Sequence, residues 1–216
     1  MISFVWKGNS AVYVKVKGQR ILIDPASSFS LGDVEALGGL DAVLFTHEHS
    51  DHFDLSTLEG LVSKFDSPVV CNPGVYKVLR RRRRGEGFLK IKDGEMLKLG
   101  GMTVHALKAV HPGYHPLVLL LEIGNFSLFH GGATGFSRSF QAFSPVDLAF
   151  IPVGYPSPTS TPSEALRIAK VLAPRVAVPI HGTDEERREF SEKIKKAKLN
   201  LEVISPFSGE EITLTF

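Results

Sequence analysis

The chain of 216 residues is 43% hydrophobic and 22% charged, which lies within the range of globular proteins and is enough for one substantial core. Its 25 basic and 23 acidic residues give a formal net charge of +2, so the overall charge gives no reason to expect a nucleic-acid or membrane partner. The single cysteine, Cys71, excludes an intramolecular disulfide and a thiolate zinc site, so a bound metal must use His and carboxylate ligands.

The sequence predicts a soluble cytoplasmic protein. Its N-terminal residues lack the basic region, apolar stretch and small-residue cleavage site of a signal peptide, and no uncharged apolar run approaches transmembrane length. No linker or low-complexity boundary interrupts the chain, so we expect a single domain over residues 1–216. The oligomeric state is left open at this point.

The first half of the chain predicts a hairpin followed by a βαβ pattern. Residues 12–16 and 20–23 are rich in β-branched side chains and flank a Gly-containing turn, which is typical of a hairpin. The apolar spacing that follows indicates a strand, a helix and a strand, at residues 41–45, 54–62 and 68–71. Cys71, beside two valines, is expected to be a small core residue.

The second half predicts a β-meander and then a return to alternating strands and helices. Between residues 88 and 129 the strands are separated by Gly turns, which favours antiparallel neighbours. The segments that follow are a strand, a helix, a strand, a charged surface helix and two short closing strands, at residues 147–152, 162–172, 176–180, 184–198, 201–204 and 211–216. Two β-rich halves with flanking helices predict a layered α/β sandwich, with polar loop residues converging at one sheet edge.

A dense group of metal-ligand side chains directly follows the strand at 41–45. The stretch Thr46-His47-Glu48-His49-Ser50-Asp51-His52 contains three imidazoles and two carboxylates, which we interpret as a metal site rather than a solvated polar turn. A catalytic zinc commonly has three protein ligands and a water, so further ligands are needed. His111 and His181 are the best candidates because each ends a predicted strand before a Gly-containing loop, His111 after residues 104–110. His105 and His115 are expected to be structural.

These segments resemble the metallo-β-lactamase fold superfamily, whose His-x-His-x-Asp-His motif matches His47, His49, Asp51 and His52. The resemblance covers nearly the whole chain. It includes the hairpin ending at Asp24-Pro25, the downstream His111, the segment 129–135 and the segment 179–182. Within the superfamily the chain looks most like the small metal-dependent hydrolases related to L-ascorbate-6-phosphate lactonase. The resemblance implies a four-layer αββα sandwich, which is an α/β (α+β) fold.

The resemblance also implies the ligands of one or two divalent metal ions. The first site would use His47, His49 and His111, and the second would use Asp51, His52 and His181. Asp24 would lie near the metal without binding it, although an Asp before Pro also favours a plain turn. Three imidazoles favour zinc, while manganese, iron and nickel also suit these ligands, and relatives of the lactonase type are associated with manganese.

The chain departs from the family pattern at Ala133. In the family the segment corresponding to Gly132-Ala133-Thr134 normally reads Gly-Asp-Thr, and its Asp bridges the two metals. Ala133 has no ligand atom, so each site loses a negative charge and an oxygen ligand, and the second site is expected to be weak or empty. His130 is not interpreted as compensation, because family members with the Asp also tend to carry a His there.

The leading hypothesis is a metal-dependent hydrolase that uses a metal-activated water on a small anionic ester, lactone or phosphoester, with Asp51 as a catalytic residue. The loop at 155–162 and residues 113–115 would border its pocket, although both are also ordinary loop material. One alternative is a nucleic-acid processing enzyme of the same fold, which would bind its substrate through the run Arg80, Arg81, Arg82, Arg83 and Arg84. The favoured interpretation of that run is the solvated end of a helix, because no aromatic residue is interleaved and cations suit a helix C-terminus. A second alternative is a non-catalytic descendant that binds a metal or a ligand. Ala133 is the sequence feature that supports this alternative, because it replaces the bridging Asp of the family.

Overall fold

A computed structural model describes residues 2–82 and 87–216, and the chain divides into two compact units. The first unit consists of residues up to Lys92, together with Gly113–Pro116 and Phe207–Phe216. The second consists of Asp93–Pro112 and Leu117–Pro206. The expectation of a single domain over residues 1–216 stays a prediction.

The first unit contains a seven-stranded mixed sheet in its described part. Its strands are β1 (Ile2–Trp6), β2 (Val12–Val16), β3 (Gln19–Ile23), β4 (Ala42–Phe45), β5 (Val69–Cys71), β6 (Phe88–Lys90) and β14 (Glu211–Leu214). They lie in the order β14-β1-β2-β3-β4-β5-β6. Pairing is antiparallel from β14 to β3 and parallel from β3 to β6, so the carboxyl ends of β3, β4 and β5 lie side by side.

The helices of this unit are α1 (Leu31–Ala36), α2 (Leu55–Phe65) and α3 (Pro73–Arg82). Each begins where a side chain satisfies a first-turn amide: the Asp54 carboxylate accepts the Thr57 N–H, and the Asn72 amide oxygen accepts the Val75 N–H at 2.9 Å. Buried leucines of α2 and buried Val75 of α3 join the apolar core of the unit. Cys71 is also buried there, and burial raises the pKa of its thiol to about 12, so it is an unreactive core residue.

The second unit contains another seven-stranded mixed sheet within the residues described. Its strands are β7 (Met96–Leu99), β8 (Met102–Lys108), β9 (Leu117–Ile123), β10 (Phe126–His130), β11 (Leu148–Pro152), β12 (Val176–Ile180) and β13 (Glu202–Val203). They lie in the order β13-β12-β11-β10-β9-β8-β7. Pairing is antiparallel from β7 to β10 and parallel from β10 to β13.

The helices of the second unit are a 3-10 helix (Arg138–Phe143), α4 (Pro162–Leu172) and α5 (Asp184–Lys196). Pro at the first position of α4 has no N–H to leave unsatisfied, and Thr183 and Glu186 form a capping box at the start of α5. Acids in the first turn of α5 and lysines in its last turn complement the helix dipole. Among the helices of the described chain, none combines the length and apolarity that crossing a bilayer requires.

The structure corrects the predicted element boundaries at two places that matter for function. Phe88–Lys90 does not open the antiparallel meander, because it pairs in parallel with β5 and the meander begins at β7. The strand expected at 104–110 ends at Lys108, and Val110 forms only an isolated bridge to Gly135. The hairpin, α4 and β12 are confirmed, whereas β1, α1 and the 3-10 helix were not predicted.

Replacing Phe140 by alanine tests the core of the second unit. The Phe140 side chain is 0% exposed and its ring lies 5.7 Å from that of Phe129, so truncation leaves a cavity and should lower the free energy of unfolding by about 3–5 kcal/mol. Denaturant unfolding measures this change. Phe207→Ala is the control: Phe207 is 83% exposed, so a loss larger than about 0.5 kcal/mol there would contradict the assigned burial.

Candidate metal centre

The His-rich loop begins where β4 ends and gathers three imidazoles within the first unit. The ring centroid of His47 lies 4.6 Å from that of His49 and 3.8 Å from that of His52. His47 and His52 are buried, and His49 is half-buried. The His49 carbonyl accepts hydrogen bonds from the His52 N–H at 2.9 Å and the Phe53 N–H at 2.8 Å, which closes the loop into a tight turn. The motif therefore forms one cluster and not an extended polar segment.

A fully buried carboxylate, Asp24, anchors this loop. Asp24 follows β3 with φ of +47° and is 0% exposed. Its Oδ1 accepts the Thr46 N–H at 2.8 Å, and its Oδ2 accepts the Thr46 hydroxyl at 2.6 Å and the Ser10 hydroxyl at 3.2 Å. The same Oδ2 lies 2.8 Å from Nδ1 of His52. Asp24 thus fixes both the start of the loop and the ring of its last histidine.

The contact with Asp24 determines what His52 can do. With Nδ1 donating to Asp24, the lone pair of the neutral ring lies on Nε2, which is 3.4 Å from Oδ2 of half-buried Asp51. Burial opposes a positive charge on His52, but the charge and hydrogen bond of Asp24, aided by Asp51, raise its pKa to about 9. A carboxylate behind an imidazole is the usual way in which a metal-binding histidine is oriented and made more basic.

Glu48, the other acidic residue of the His-rich loop, holds a neighbouring backbone segment in place. Its Oε1 accepts the Tyr114 N–H at 2.7 Å, and its Oε2 accepts from the Asn72 amide at 3.3 Å. The same Asn72 nitrogen donates to the carbonyls of Tyr114 and His115 at 3.0 Å. Glu48 and Asn72 therefore hold the segment Gly113–Pro116. This segment passes close to the cluster, since a Cβ added at Gly113 would lie 3.6 Å from Nε2 of His49.

In the second unit, His111 borders an open cavity. The cavity has a volume of about 520 Å³ and its polar lining includes Asp93, Lys108, His111, Ser137 and Ser139. His111 is half-buried, and its Nδ1 lies 3.4 Å from the Thr159 hydroxyl. The preceding Val110 donates its N–H to the Thr134 hydroxyl at 2.8 Å, which fixes the backbone beside His111.

His130 ends β10 and His181 follows β12, the two parallel neighbours of β11 in the same unit. His181 is buried directly after β12, with φ of +54°, and Gly182 follows with φ of +77°. A Cβ at Gly182 would lie only 2.6 Å from Val153, so this sharp turn requires glycine. His130 is buried at the end of β10, and its Nδ1 accepts the Gly132 N–H at 3.2 Å. His105 lies within β8 with Nε2 2.7 Å from Glu122, and His115 lies in a loop.

Ala133 lies in the turn after β10 and is 3% exposed. Its carbonyl accepts hydrogen bonds from the Ser157 hydroxyl at 2.7 Å and the Thr159 hydroxyl at 3.1 Å. The Ser160 hydroxyl donates to the Thr134 carbonyl at 2.9 Å. Residues of the polar loop at 155–162 therefore brace the backbone around Ala133, whereas the expectation that this loop borders the pocket stays a prediction. No local sequence signal predicts this bracing, and none predicts the contacts of Ser10 or Asn72.

Comparison with known proteins identifies the fold. Residues 3–181 match the family described as the beta-lactamase superfamily domain. The chain is 32% identical to a UPF0173 protein of Pyrococcus furiosus, over 98% of this chain and 100% of that protein. It is 28% identical to a UPF0173 metal-dependent hydrolase of Caldivirga maquilingensis, over 82% and 80% of the two chains. The structure of Igni18, a metallo hydrolase from Ignicoccus hospitalis, superposes with a TM-score of 0.87 at 26% identity, covering 100% of this chain and 99% of that one. The predicted α/β fold of the metallo-β-lactamase type is confirmed.

Alanine at Gly74 tests the role assigned to Glu48. A Cβ at Gly74 would collide with the Glu48 carboxylate and lie 3.1 Å from the Tyr114 carbonyl, so we expect the Glu48–Tyr114 hydrogen bond to break and the unfolding free energy to fall by about 1–3 kcal/mol. Gly60→Ala is the matched control in α2. There the new Cβ makes ordinary contacts of 3.7–3.8 Å with Leu31, and stability should rise by about 0.5–1 kcal/mol. Equal shifts in thermal unfolding would contradict this role of Glu48.

Proposed function

The chain belongs to the beta-lactamase superfamily and, within it, to the UPF0173 metal-dependent hydrolases, and we propose that it hydrolyses a small anionic ester, lactone or phosphoester. The observation that carries this proposal is the cluster of His47, His49 and His52 with the buried Asp24 carboxylate behind it. When bound there, a divalent ion lowers the pKa of a water molecule toward neutrality and polarises the group under attack.

The donor chemistry of the cluster fits a divalent cation. The ring centroid of His47 lies 4.6 Å from that of His49 and 3.8 Å from that of His52, so the cluster gathers three imidazoles in one place. A cation bound at His52 would have to displace the proton that Asp24 and Asp51 favour there. Neutral imidazole nitrogens are preferred ligands of zinc, and they also suit iron, nickel and manganese. Asp24 adds the carboxylate that commonly orients a metal-binding histidine.

We assign two sets of ligands. By the resemblance to the family, His47, His49 and His111 would hold one ion, and Asp51, His52 and His181 would form the second site. The family match and the positions of His111 and His181 beyond strands of the second unit support this assignment. Zinc is the preferred ion for the first set, because three imidazoles and a water complete a catalytic zinc site. The second set lacks the bridging carboxylate at Ala133, so it binds an ion weakly or not at all.

Asp51 is proposed as the residue that holds a proton during hydrolysis. It is half-buried, and its Oδ2 lies 3.4 Å from Nε2 of His52, so it is oriented by a residue that Asp24 fixes in turn. A carboxylate in this position accepts a proton from the attacking water and returns it to the leaving group.

A small substrate fits the cavity beside His111. Its volume of about 520 Å³ lies within the common range for small-molecule pockets, roughly 300–1,000 Å³. Lys108 and Asp93 both line this cavity, so its charge is mixed. The anionic class of substrate is instead supported by the resemblance to lactonases, which makes a sugar-derived lactone one suitable member. A second candidate function, metal binding without turnover, is favoured by Ala133, since loss of the bridging carboxylate removes charge that a two-metal hydrolase uses.

His49→Ala tests hydrolysis at this site. In a screen of phosphoesters and lactones with added zinc, manganese, iron or nickel, we expect the unmodified chain to be active and the variant to lose more than about 100-fold in kcat/KM, because an ion ligand is removed. His105→Ala is the control, because His105 lies on a strand and contacts Glu122. We expect this variant to keep the kcat/KM of the unmodified chain within about twofold. Bound metal without turnover in the unmodified chain would favour the second candidate function instead.

Ala133→Asp tests the missing bridge. The added carboxylate offers negative charge and an oxygen ligand, so the metal content should rise from near one to near two divalent ions per chain. Inductively coupled plasma mass spectrometry measures the content. Ala133→Asn has nearly the same shape without the charge and serves as the control. Two fully occupied sites in the unmodified chain would contradict the weak second site.

A further inference from the structure

The first two residues of the arginine run at 80–84 line a pocket in the first unit. Arg80 and Arg81 project from α3 as exposed side chains, Arg83 and Arg84 lie outside the described residues, and of Arg82 only the backbone is described. The pocket has a volume of about 380 Å³. Besides Pro73, it is lined by Tyr76, Lys77, Arg80, Arg81, Lys90 and Tyr114. The favoured reading of this run as a solvated helix end is thus incomplete, because its first two members form part of a concave wall.

Helix geometry explains why these side chains share one wall. Tyr76 and Lys77 are followed one turn later by Arg80 and Arg81, and residues three to four apart lie on the same face of a helix. Val75 and Leu79 point the other way and are buried in the core. Lys90, at the end of β6, completes the cationic lining because β6 packs beside α3.

The pocket combines four positive charges with two aromatic rings. Nζ of Lys77 lies 5.2 Å from the centroid of the Tyr114 ring, and Nζ of Lys90 lies 5.2 Å from that of Tyr76. Neutral rings hold these ammonium groups in place without cancelling their charge. Across residues 2–82 and 87–216, no carboxylate forms an ion pair with the four cations of the pocket. Their mutual repulsion favours the binding of an anion.

One wall of this pocket is tied to the His-rich loop. Tyr114 lines the pocket, and its N–H donates to Glu48, which stands between His47 and His49 in the sequence. The neighbouring Gly113 passes close to the His49 ring, since a Cβ added there would lie 3.6 Å from its Nε2. A ligand bound against Tyr114 is therefore one residue away from the backbone that passes close to a proposed metal ligand.

We propose that this pocket binds the phosphate group of a small substrate that also carries a ring. The guanidinium and ammonium groups match the phosphate oxygens, and Tyr76 and Tyr114 offer surfaces for the ring. Lys77, Arg80, Arg81 and Lys90 are then specificity-determining residues that select, among the esters and lactones proposed above, those that carry a separate phosphate group, because a phosphate held in this pocket is not the group attacked at the His-rich cluster. Identifying the ligand as the substrate rests on the proposed function, whereas the binding of the anion does not.

Binding of phenylphosphonate tests this proposal, because its carbon–phosphorus bond is not a phosphoester and the compound keeps both the ring and the dianion. Isothermal titration calorimetry with the full chain should detect binding of phenylphosphonate and much weaker binding of neutral phenol. The combined variant Lys77→Gln, Arg80→Gln, Arg81→Gln and Lys90→Gln should weaken binding by at least about tenfold. The matched control removes four exposed charges elsewhere, in Arg188→Gln, Lys195→Gln, Lys196→Gln and Lys198→Gln, and should change affinity by less than about twofold.

Each possible outcome either supports or overturns the proposed anion site. Equal weakening in the two combined variants would show general charge attraction and overturn the proposal, as would unchanged binding in the pocket variant, which would locate the anion elsewhere. Binding of a single-stranded RNA 12-mer, lost in the pocket variant, with no binding of phenylphosphonate would overturn it in favour of a nucleic-acid site. Pocket-dependent binding in a chain that hydrolyses no phosphoester or lactone would support the anion site while contradicting the proposed function.

Discussion

The buried carboxylate of Asp24 is the constraint on which the His-rich loop depends. A buried charge is costly unless hydrogen bonds compensate it, and here the compensating donors are the Thr46 N–H and hydroxyl, the Ser10 hydroxyl and His52 Nδ1. The parallel pairing of β3 and β4 makes these contacts possible, because it places Asp24 beside the end of β4. Removing the charge would leave several polar groups unsatisfied at once, so the position of His52 and the pairing of the strands stabilise each other.

The same strand geometry explains why chemically active side chains concentrate as they do within each unit. In the first unit, the carboxyl ends of three adjacent parallel strands lead into Asp24, the His47–His52 segment and Asn72. In the second, β10 ends at His130 and β12 is followed by His181, on either side of β11. Parallel strands all end at the same edge of a sheet, and each is followed by a long connection rather than a tight hairpin turn. Such an edge therefore has room for loops that carry polar side chains.

Local patterns in the sequence are enough to predict most of the strands and helices and the His-rich cluster. The hairpin, α4 and the His-x-His-x-Asp-His motif each carry their signal within a few residues, as β-branched alternation, a Pro at a helix start, or ligand types in a row. Other features depend on partners far apart in the chain. The pairing of β1 with β14 joins the two ends of the chain, and periodicity within a segment does not encode such a partner.

The pocket lined by Lys77, Arg80, Arg81 and Lys90 likewise depends on a partner that is far away in the sequence. The arginine run alone favours a solvated helix end, since no aromatic residue lies within it. Tyr114 is far away in the sequence, and it reaches Lys77 only because Glu48 and Asn72 fix its backbone. Glu48 therefore connects two parts of the first unit: the His-rich cluster, whose imidazoles suit a metal cation, and the pocket, whose four cations favour an anion. A hydrolase whose substrate carries a phosphate group apart from the bond it breaks uses both, because the group that the metal polarises and the phosphate that the pocket binds belong to the same molecule.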